Sequence, residues 1–361
     1  MSNEVQEYFE RLAARIRSAS DVDSLNRYLN LYLKESNHDR RYFHFSVQAS
    51  QQEGRVQLTG EVQYPEQIEG LVSLLKTLGF ETENHVAVLT EGTRQGDRYG
   101  IVKVPFAGFY VEPNPETEQV TQARYGERVQ VISGPRDGHY LVRSHDAYLG
   151  WASCECFEYC PKDRWLTWDN CPRVRFGTSY DHDGVTLLAN TELPLRDKDQ
   201  VEFPDGALQD LSQITGSGAQ VERLPFAATS AIREKIIELA RTWLETKYVW
   251  GARTNQGTDC SGFAQSMYGF CGIYLPRDAR HQFLVGRVCG GRDFMQALPG
   301  DLLFFLGRTG VVTHVAISLG DYRFIHAGGG RVHEASLSPN DPDYQDQRAH
   351  TFFCAKRVIP A

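Results

Sequence analysis

Thr258-Asp259-Cys260-Ser261-Gly262-Phe263 is the stretch on which the reading of this 361-residue chain turns. Beyond Cys260, the residues Phe263, Met267, Phe270 and Cys271 recur at helical spacing, so Cys260 is predicted at or just before a helix N-terminus. The amide dipoles at that end favour negative charge. A thiol placed there should be more acidic than usual, and the thiolate is the nucleophilic form. Taken alone, such a cysteine is more often a small core residue, so its partners decide the matter. Upstream, Tyr248-Val249-Trp250-Gly251 leads into the motif. Before it, Thr229 and Ser230 can cap a helix whose Ile232, Ile236, Ala240, Trp243 and Leu244 share one face.

A cysteine nucleophile needs a base. Downstream, the turn Pro299-Gly300-Asp301 is followed by three apolar runs: Leu302–Phe305, Val311–Ile317 and Tyr322–Ala327. Their lengths and short connections predict an antiparallel meander. The second run carries His314 and the third ends in His326, followed by three glycines. Histidines on neighbouring strands can lie side by side. One can face the thiol while the other holds it in the correct tautomer. A lone strand histidine is more often a satisfied core residue; the cysteine with both histidines is what points to catalysis.

Farther from the motif, residues 1–36 read as helix, with Val5, Phe9, Leu12 and Ile16 on one face. Residues 43–63 alternate as two strands about Glu53-Gly54. Pro65 opens a helix carrying Ile68, Leu71, Val72, Leu75 and Leu78, Gly79 ends it, and 84–90 is a further strand. Residues 1–95 are thus expected to form an α+β accessory domain. The stretch VQLTGEVQYPEQIEGLVSLLKTLGF bears a weak resemblance to the small bacterial BON module. Residues 91–98 read as a linker. From 99 to about 222 the apolar runs are short and split by Gly, Pro and Asp. Val129–Ile132, Tyr140–Val142, Tyr148–Trp151, Val185–Leu188 and Val221–Leu224 are predicted strands of two small β barrels, 96–160 and 161–225, with a break near 160–172.

Hydrophobic residues make up 41% and charged residues 23%, and the net charge is −8. Neither a basic face for nucleic acid nor a polybasic segment for anionic lipid is evident, so no nucleic-acid or membrane partner is expected. The stretch MSNEVQEYFERLAARIRSASDV has no apolar core and no small-residue cleavage site, and no 18-residue apolar run occurs. A cytoplasmic location is the expectation. Of eight cysteines, Cys154, Cys156, Cys160 and Cys171 cluster, but without the paired Cys-x2-Cys spacing of metal sites, so they read as thiols.

Residues 226–361 resemble the NlpC family of cell-wall cysteine peptidases. Asp259-Cys260-Ser261-Gly262 is similar to its nucleophile motif, and Leu275-Pro276-Arg277-Asp278-Ala279 with Gln282 to the motif that follows. Pro299-Gly300-Asp301-Leu302, His314-Val315-Ala316-Ile317 and Ile325-His326-Ala327 follow in the same order. One departure is Ala252, where members often carry a second glycine. The resemblance implies an α+β, papain-like catalytic domain with Cys260 as nucleophile, His314 as base and His326 as orienting group. It further implies Tyr248 lining the cleft, the Cys260 N–H as oxyanion donor, and no metal or cofactor.

The pieces TQARYGERVQVI and AYLGWAS resemble bacterial SH3-like modules. Two such barrels before an NlpC-like domain are similar to the γ-D-glutamyl-L-diamino acid endopeptidases. The implied substrate is a stem peptide, L-Ala-γ-D-Glu-diamino acid, with a free N-terminal amine. The implied contacts are Glu127 and Tyr148 from the first barrel, beside the amine, with Asp259, Ser261, Arg277 and Asp278. A free amine would restrict the enzyme to released peptides. Two other readings stay open: a related thiol amidase or acyltransferase, and a non-catalytic protein that binds cell-wall peptide.

Overall fold

The structure is a computed structural model that describes residues 7, 10, 11, 22–35, 39–89, 99–224, 231–291 and 296–359. The expected face of Val5, Phe9, Leu12 and Ile16, the linker 91–98 and the capping pair Thr229 and Ser230 lie outside the described residues. Among the described residues, no helix is long and apolar enough to cross a membrane.

Helix α1 (Val22–Glu35) precedes strands β1 (Phe45–Gln52) and β2 (Arg55–Val62), which pair antiparallel. Glu53 and Gly54 join them, both at positive φ, the conformation that suits a two-residue hairpin to the twist of its strands. Helix α2 (Pro65–Thr77) crosses over to β3 (Thr82–Val88), parallel to β2. Proline opens α2, where its missing N–H costs nothing. Phe45, Val56, Leu58 and Val62 of the sheet share one core with Leu25 and Leu29 of α1 and Ile68, Leu71, Leu74 and Leu75 of α2.

Strands β4 (Tyr99–Val102), β5 (Phe106–Tyr110), β6 (Gln119–Arg124), β7 (Arg128–Arg136), β8 (His139–Ser144), β9 (Leu149–Ser153) and β10 (Phe157–Tyr159) form the first barrel, in the order β10-β4-β7-β8-β9-β5-β6. Near 160–172 the chain forms helix α3 (Lys162–Trp168). There Trp165 and Trp168 donate their indole N–H groups to the carbonyls of Val129 (3.0 Å) and Gly126 (2.7 Å) in the first barrel. The second unit holds β11 (Arg173–Phe176), β12 (Tyr180–His182), β13 (Val185–Leu187), β14 (Glu192–Arg196), β15 (Gln200–Glu202), β16 (Leu208–Asp210), helix α4 (Leu211–Gly216) and β17 (Val221–Leu224). Its five-stranded sheet runs β16-β15-β14-β11-β17, and β12–β13 is a separate hairpin. Trp168 packs with Val174, Phe176, Leu193 and Phe203 of this unit and with Ile101 and Tyr125 of the first. The two barrels therefore share a core.

The C-terminal part begins with α5 (Ile232–Thr242). Ile236, Ala240 and Trp243 are buried on its inner face, while Leu244 is exposed. The short ribbon β18 (Arg253–Thr254) and β19 (Gly257–Thr258) leads into α6 (Cys260–Gly269), then α7 (Ala279–Gln282) and β20 (Arg287–Gly290). Strands β21 (Leu302–Leu306), β22 (Val312–Gly320), β23 (Arg323–Gly328) and β24 (Arg331–Ser336) follow in order, and α8 (Asp346–Thr351) leads to β25 (Phe352–Arg357). The six-stranded antiparallel sheet runs β20-β25-β21-β22-β23-β24. Alternation along the strands gives it two faces. Val315, Ile317 and Ile325 pack with Phe263 and Met267 of α6. Phe305, Ala316, Phe324 and Phe352 form the core on the other side. The predicted three-strand meander is present as β21–β23. The whole is an α+β chain in which an N-terminal α+β unit and two small β-rich units precede a C-terminal helix-on-sheet part.

Candidate active site

Cys260 is the first residue of α6. Asp259 caps the helix from an extended backbone, its carboxylate accepting the Gly262 N–H at 2.7 Å. The same carboxylate accepts the Gly251 N–H (2.9 Å), the Ser261 hydroxyl (3.2 Å) and two bonds from Arg277 (3.0 and 2.6 Å). Asp259 is 5% exposed and Arg277 only 1%. Such a buried pair offsets its desolvation only when its hydrogen bonds are filled. Arg277 fills its own by donating to the hydroxyls of Ser261 (3.0 Å) and Thr121 (2.9 Å). Asp259, Ser261 and Arg277 thus form one network that fixes the start of α6 and ties it to β6 of the first barrel.

The thiol is not made acidic by this position. Burial, and then the Asp259 carboxylate, push Cys260 up to about 12. The Val315 N–H, the Arg277 guanidinium and the Ser261 N–H act in the other direction and are outweighed. Desolvation and the Asp259 charge thus act against the lowering expected at a helix start. The Val315 contact also locates the thiol, since Val315 follows His314 on β22.

His314 and His326 lie on the same face of β22 and β23, diagonal to one another across the ladder. His314 Nε2 and His326 Nδ1 are 2.7 Å apart, and the rings meet edge to face. Burial, then the neighbouring His326 and Arg348, hold His314 well below the usual histidine range. His326 is lowered by burial, then by His333 and Arg348. These directions favour a protonated thiol and an uncharged imidazole, a combination that suits general-base transfer during attack. Gly328 leaves space for the rings. A Cβ there would stand 2.6 Å from His326 Cε1 and 2.8 Å from its Nδ1.

Two further residues reach the site that sequence reasoning missed. His333, on β24, faces His326 with 3.3 Å between their Nε2 atoms. Arg348, on α8, lies over the Phe305 ring at 5.6 Å, and the charges of Cys260 and Tyr248 act on its guanidinium. Both sit in polar stretches without periodicity; only the pairing of β23 with β24 and the return through α8 bring them in.

Tyr248 is half-buried against the α6 core, and its N–H donates to the Gly330 carbonyl at 2.8 Å. Burial, then Cys260 and Asp259, raise its phenol. Tyr148 and Asp278 meet at the junction of the first barrel and α7, the hydroxyl 3.5 Å from each carboxylate oxygen. The N-terminal unit enters here as well. Arg41 pairs with both Asp278 and Asp39, and the Tyr42 hydroxyl lies 3.0 Å from His281 Nδ1. Glu127 is not brought to this junction. It accepts from the Arg124 backbone N–H (3.0 Å), Arg124 Nε (2.9 Å) and Arg253 (2.9 Å). It lines a cavity between the barrels and the far part of α6, with His145, Gln265 and Gly269. Burial opposes its ionisation, but Arg253, Arg124 and His145 hold its carboxyl well below the usual range. No stretch between 121 and 132 signals this pairing, because Arg253 comes from another part of the chain.

Known proteins fit this geometry. The NlpC/P60 family model matches residues 245–351, and the bacterial dipeptidyl-peptidase Sh3 domain matches 109–155. A γ-D-glutamyl-L-lysine dipeptidyl-peptidase of Bacillus cereus is 27% identical over 263 residues, covering 66% of this chain and 75% of that one. Dipeptidyl-peptidase 6 of Lysinibacillus sphaericus is 29% identical over 278 residues, covering 70% and 96%. The crystal structure of an NlpC/P60 family protein from Bacillus cereus shares the fold, with a TM-score of 0.58 and 22% identity over 73% of this chain and 100% of that one. The matched segment 245–351 holds the helix that starts at Cys260 and the strands of His314 and His326, so the chain carries an NlpC/P60 cysteine endopeptidase domain together with a bacterial dipeptidyl-peptidase SH3 domain.

Proposed function

We propose that this chain hydrolyses the γ-D-glutamyl–diamino acid bond of cell-wall stem peptides that bear a free N-terminal L-alanine. The observation that carries the chemistry is that the helix-start cysteine meets the N–H of Val315, next to His314 on β22, and that His314 is paired to a second histidine at 2.7 Å. Cys260 Sγ attacks the scissile carbonyl carbon as its proton passes to His314 Nδ1. The Cys260 N–H, in a first helical turn that lacks intrahelical acceptors, stabilises the oxyanion. Collapse breaks the C–N bond, and the diamino acid leaves with the proton from His314. Water, deprotonated by His314, then cleaves the thioester and frees the γ-carboxylate of D-glutamate. His326 orients His314 throughout, and Tyr248 lines the cleft.

The names of the relatives support the bond: one is a γ-D-glutamyl-L-lysine dipeptidyl-peptidase, another a dipeptidyl-peptidase. The contact of Tyr148 with Asp278 supports a groove closed at one end by the first barrel. A closed end accepts a chain terminus. Asp278, with the Tyr148 hydroxyl, would hold the ammonium in exchange with Arg41; Glu127, committed to two arginines, would not. A charge-assisted bond of this kind contributes roughly 1.5–3 kcal/mol, or about 10- to 150-fold.

The test compares kcat/KM for L-Ala-γ-D-Glu-L-Lys, its diaminopimelate counterpart and their N-acetyl forms, in wild type and Asp278→Asn. Wild type should prefer the free amine at least tenfold, and Asp278→Asn should erase most of that preference. Equal rates on free and acetylated peptides in wild type reject terminal-amine recognition. No cleavage of any of them by folded protein rejects the bond assignment.

A further inference from the structure

The row of histidines does not stop at His326. His326 and His333 are directly opposed in the β23–β24 register, so their side chains share a face. Their rings are 4.6 Å apart and their Nε2 atoms 3.3 Å. The second nitrogen of His333, Nδ1, lies 3.2 Å from the Arg331 carbonyl. Its Nε2 also lies 2.7 Å from the side-chain amide nitrogen of Gln345. Three histidines on three adjacent strands are thus linked, with both outer contacts of His333 made by non-titrating groups.

The protons in this row can be placed by elimination. A carbonyl only accepts, so His333 Nδ1 carries a hydrogen, and in the neutral ring Nε2 is then a bare acceptor. The Gln345 N–H donates to that acceptor. A bare His326 Nε2 would set its own lone pair against that one at 3.3 Å, so His326 Nε2 carries the hydrogen and its Nδ1 is bare. His326 Nδ1 then accepts from His314 Nε2–H across 2.7 Å. The remaining nitrogen, His314 Nδ1, is bare, and it is the one that must take the thiol proton. The opposite set would put a hydrogen on His314 Nδ1 and block it as a base. His326 alone does not decide between the two sets, because an imidazole can present either nitrogen as donor.

We propose that His333, held by the Arg331 carbonyl and Gln345, is a positioning residue that fixes the tautomer of the whole row, so that His314 presents an unprotonated Nδ1 to Cys260. The inference rests on the reading of Cys260 and His314 as the reacting pair. It extends that reading by assigning the origin of the base's tautomer to a residue that touches neither thiol nor substrate.

The experiment measures kcat and KM on L-Ala-γ-D-Glu-L-Lys for wild type, His333→Phe and His333→Gln, and nitrogen–hydrogen correlation spectra of the ¹⁵N-labelled histidine rings in the same proteins. Phenylalanine keeps the ring shape and removes the acceptor; glutamine can restore an acceptor through its side-chain oxygen. His333→Phe should lower kcat by roughly tenfold or more with KM unchanged, since a wrongly set histidine tautomer is costly. His333→Gln should recover part of the loss, which a purely structural role would not require. In wild-type spectra His314 should carry its hydrogen on Nε2, and in His333→Phe the two tautomers should mix. A folded His333→Phe protein with kcat within twofold of wild type overturns the proposal. So does a His314 tautomer that is unchanged in both variants. If His333→Phe folds poorly, His333→Ala, which also removes the acceptor, is read in its place: mixed His314 tautomers are expected, and an unchanged tautomer overturns the proposal. The spectra also do not depend on the substrate: if wild type cleaves no stem peptide, the function fails, while a His333-dependent tautomer would still stand.

Discussion

Cys260 and Asp259 are neighbours that make opposing demands. Asp259 caps α6 and anchors Arg277, so its charge is needed to hold the helix start. Burial first, and then that same charge, push the thiol up. The consequence is testable. With a thiol pushed up to about 12, the rate of inactivation by iodoacetamide should rise about tenfold per pH unit from pH 6 to pH 9. A plateau below pH 7 would instead show a preformed thiolate–imidazolium pair. Turnover should not require that pair, because His314 is uncharged and ready as a base. Its lowered pKa means that it is disabled only at pH values well below the ordinary histidine range, so kcat/KM should hold on the acid side of pH 6.5. Replacement by alanine at Cys260 should remove activity by several orders of magnitude while the melting temperature stays within a few degrees. At this scale the sequence is a good guide to identity and a poor one to acidity. Cys260, His314 and His326 stand out because each interrupts or ends an apolar pattern. The thiol's protonation state depends on how deeply packing buries it, and no local stretch encodes that depth.

Among the elements, β22, β23 and β24 matter most, because their register aligns the histidines. Runs such as Leu302–Phe305 and Val311–Ile317 are apolar enough to be read as strands. β24 reads RVHEAS, mixed and polar, and it is a strand because β23 offers it a complete ladder from Arg323 to Gly328. β25 was likewise missed, since its place between β20 and β21 is set by pairings distant in sequence. In the first barrel, β4 and β5 are only four and five residues long, too short to show a pattern of their own. Gly328 tests the alignment. It ends β23 beside the rings, and its backbone is not in the left-handed region, so alanine there is opposed only by contact with His326. Gly328→Ala should displace that ring and lower kcat more than tenfold, while overpacking costs about 1–3 kcal/mol of stability. Unchanged turnover in Gly328→Ala would mean that the row tolerates displacement and that His326 does not set the geometry of His314.

At the scale of the molecule, the first barrel holds the catalytic domain in place through polar contacts from β6. Thr121 accepts from Arg277, the Gln122 side-chain oxygen accepts the Arg253 N–H at 3.0 Å, and the Gln119 amide donates to the Trp250 carbonyl at 3.1 Å. Gly251 belongs to the same seam: at φ +75°, a Cβ would stand 2.4 Å from the Gln119 carbonyl oxygen. Glu127 is the charged member. Arg253 is 2% exposed and reaches it at 2.9 Å, with Arg124 on its other side. A carboxylate between two arginines is already committed, which is why we assign it to the seam and the ammonium to Asp278. Breaking a buried pair by removing one partner is far more damaging than never having had it, by about 3–5 kcal/mol. Glu127→Gln should therefore lower stability by about 3 kcal/mol at neutral pH and leave the ratio of rates on free and N-acetylated peptide unchanged. The pH dependence gives a second handle. The folded pKa of Glu127 lies below its unfolded value of about 4.3. Its contribution is thus complete above about pH 5 and is lost as pH falls through the carboxylate range toward the folded pKa. Melting temperatures of wild type and Glu127→Gln should be far apart at pH 7 and draw together as the pH is lowered below 4. A constant gap between pH 7 and pH 3 would show that the charge on Glu127 is not what joins barrel and catalytic domain. A lost preference for the free amine in Glu127→Gln, with stability unchanged, would return this residue to the substrate.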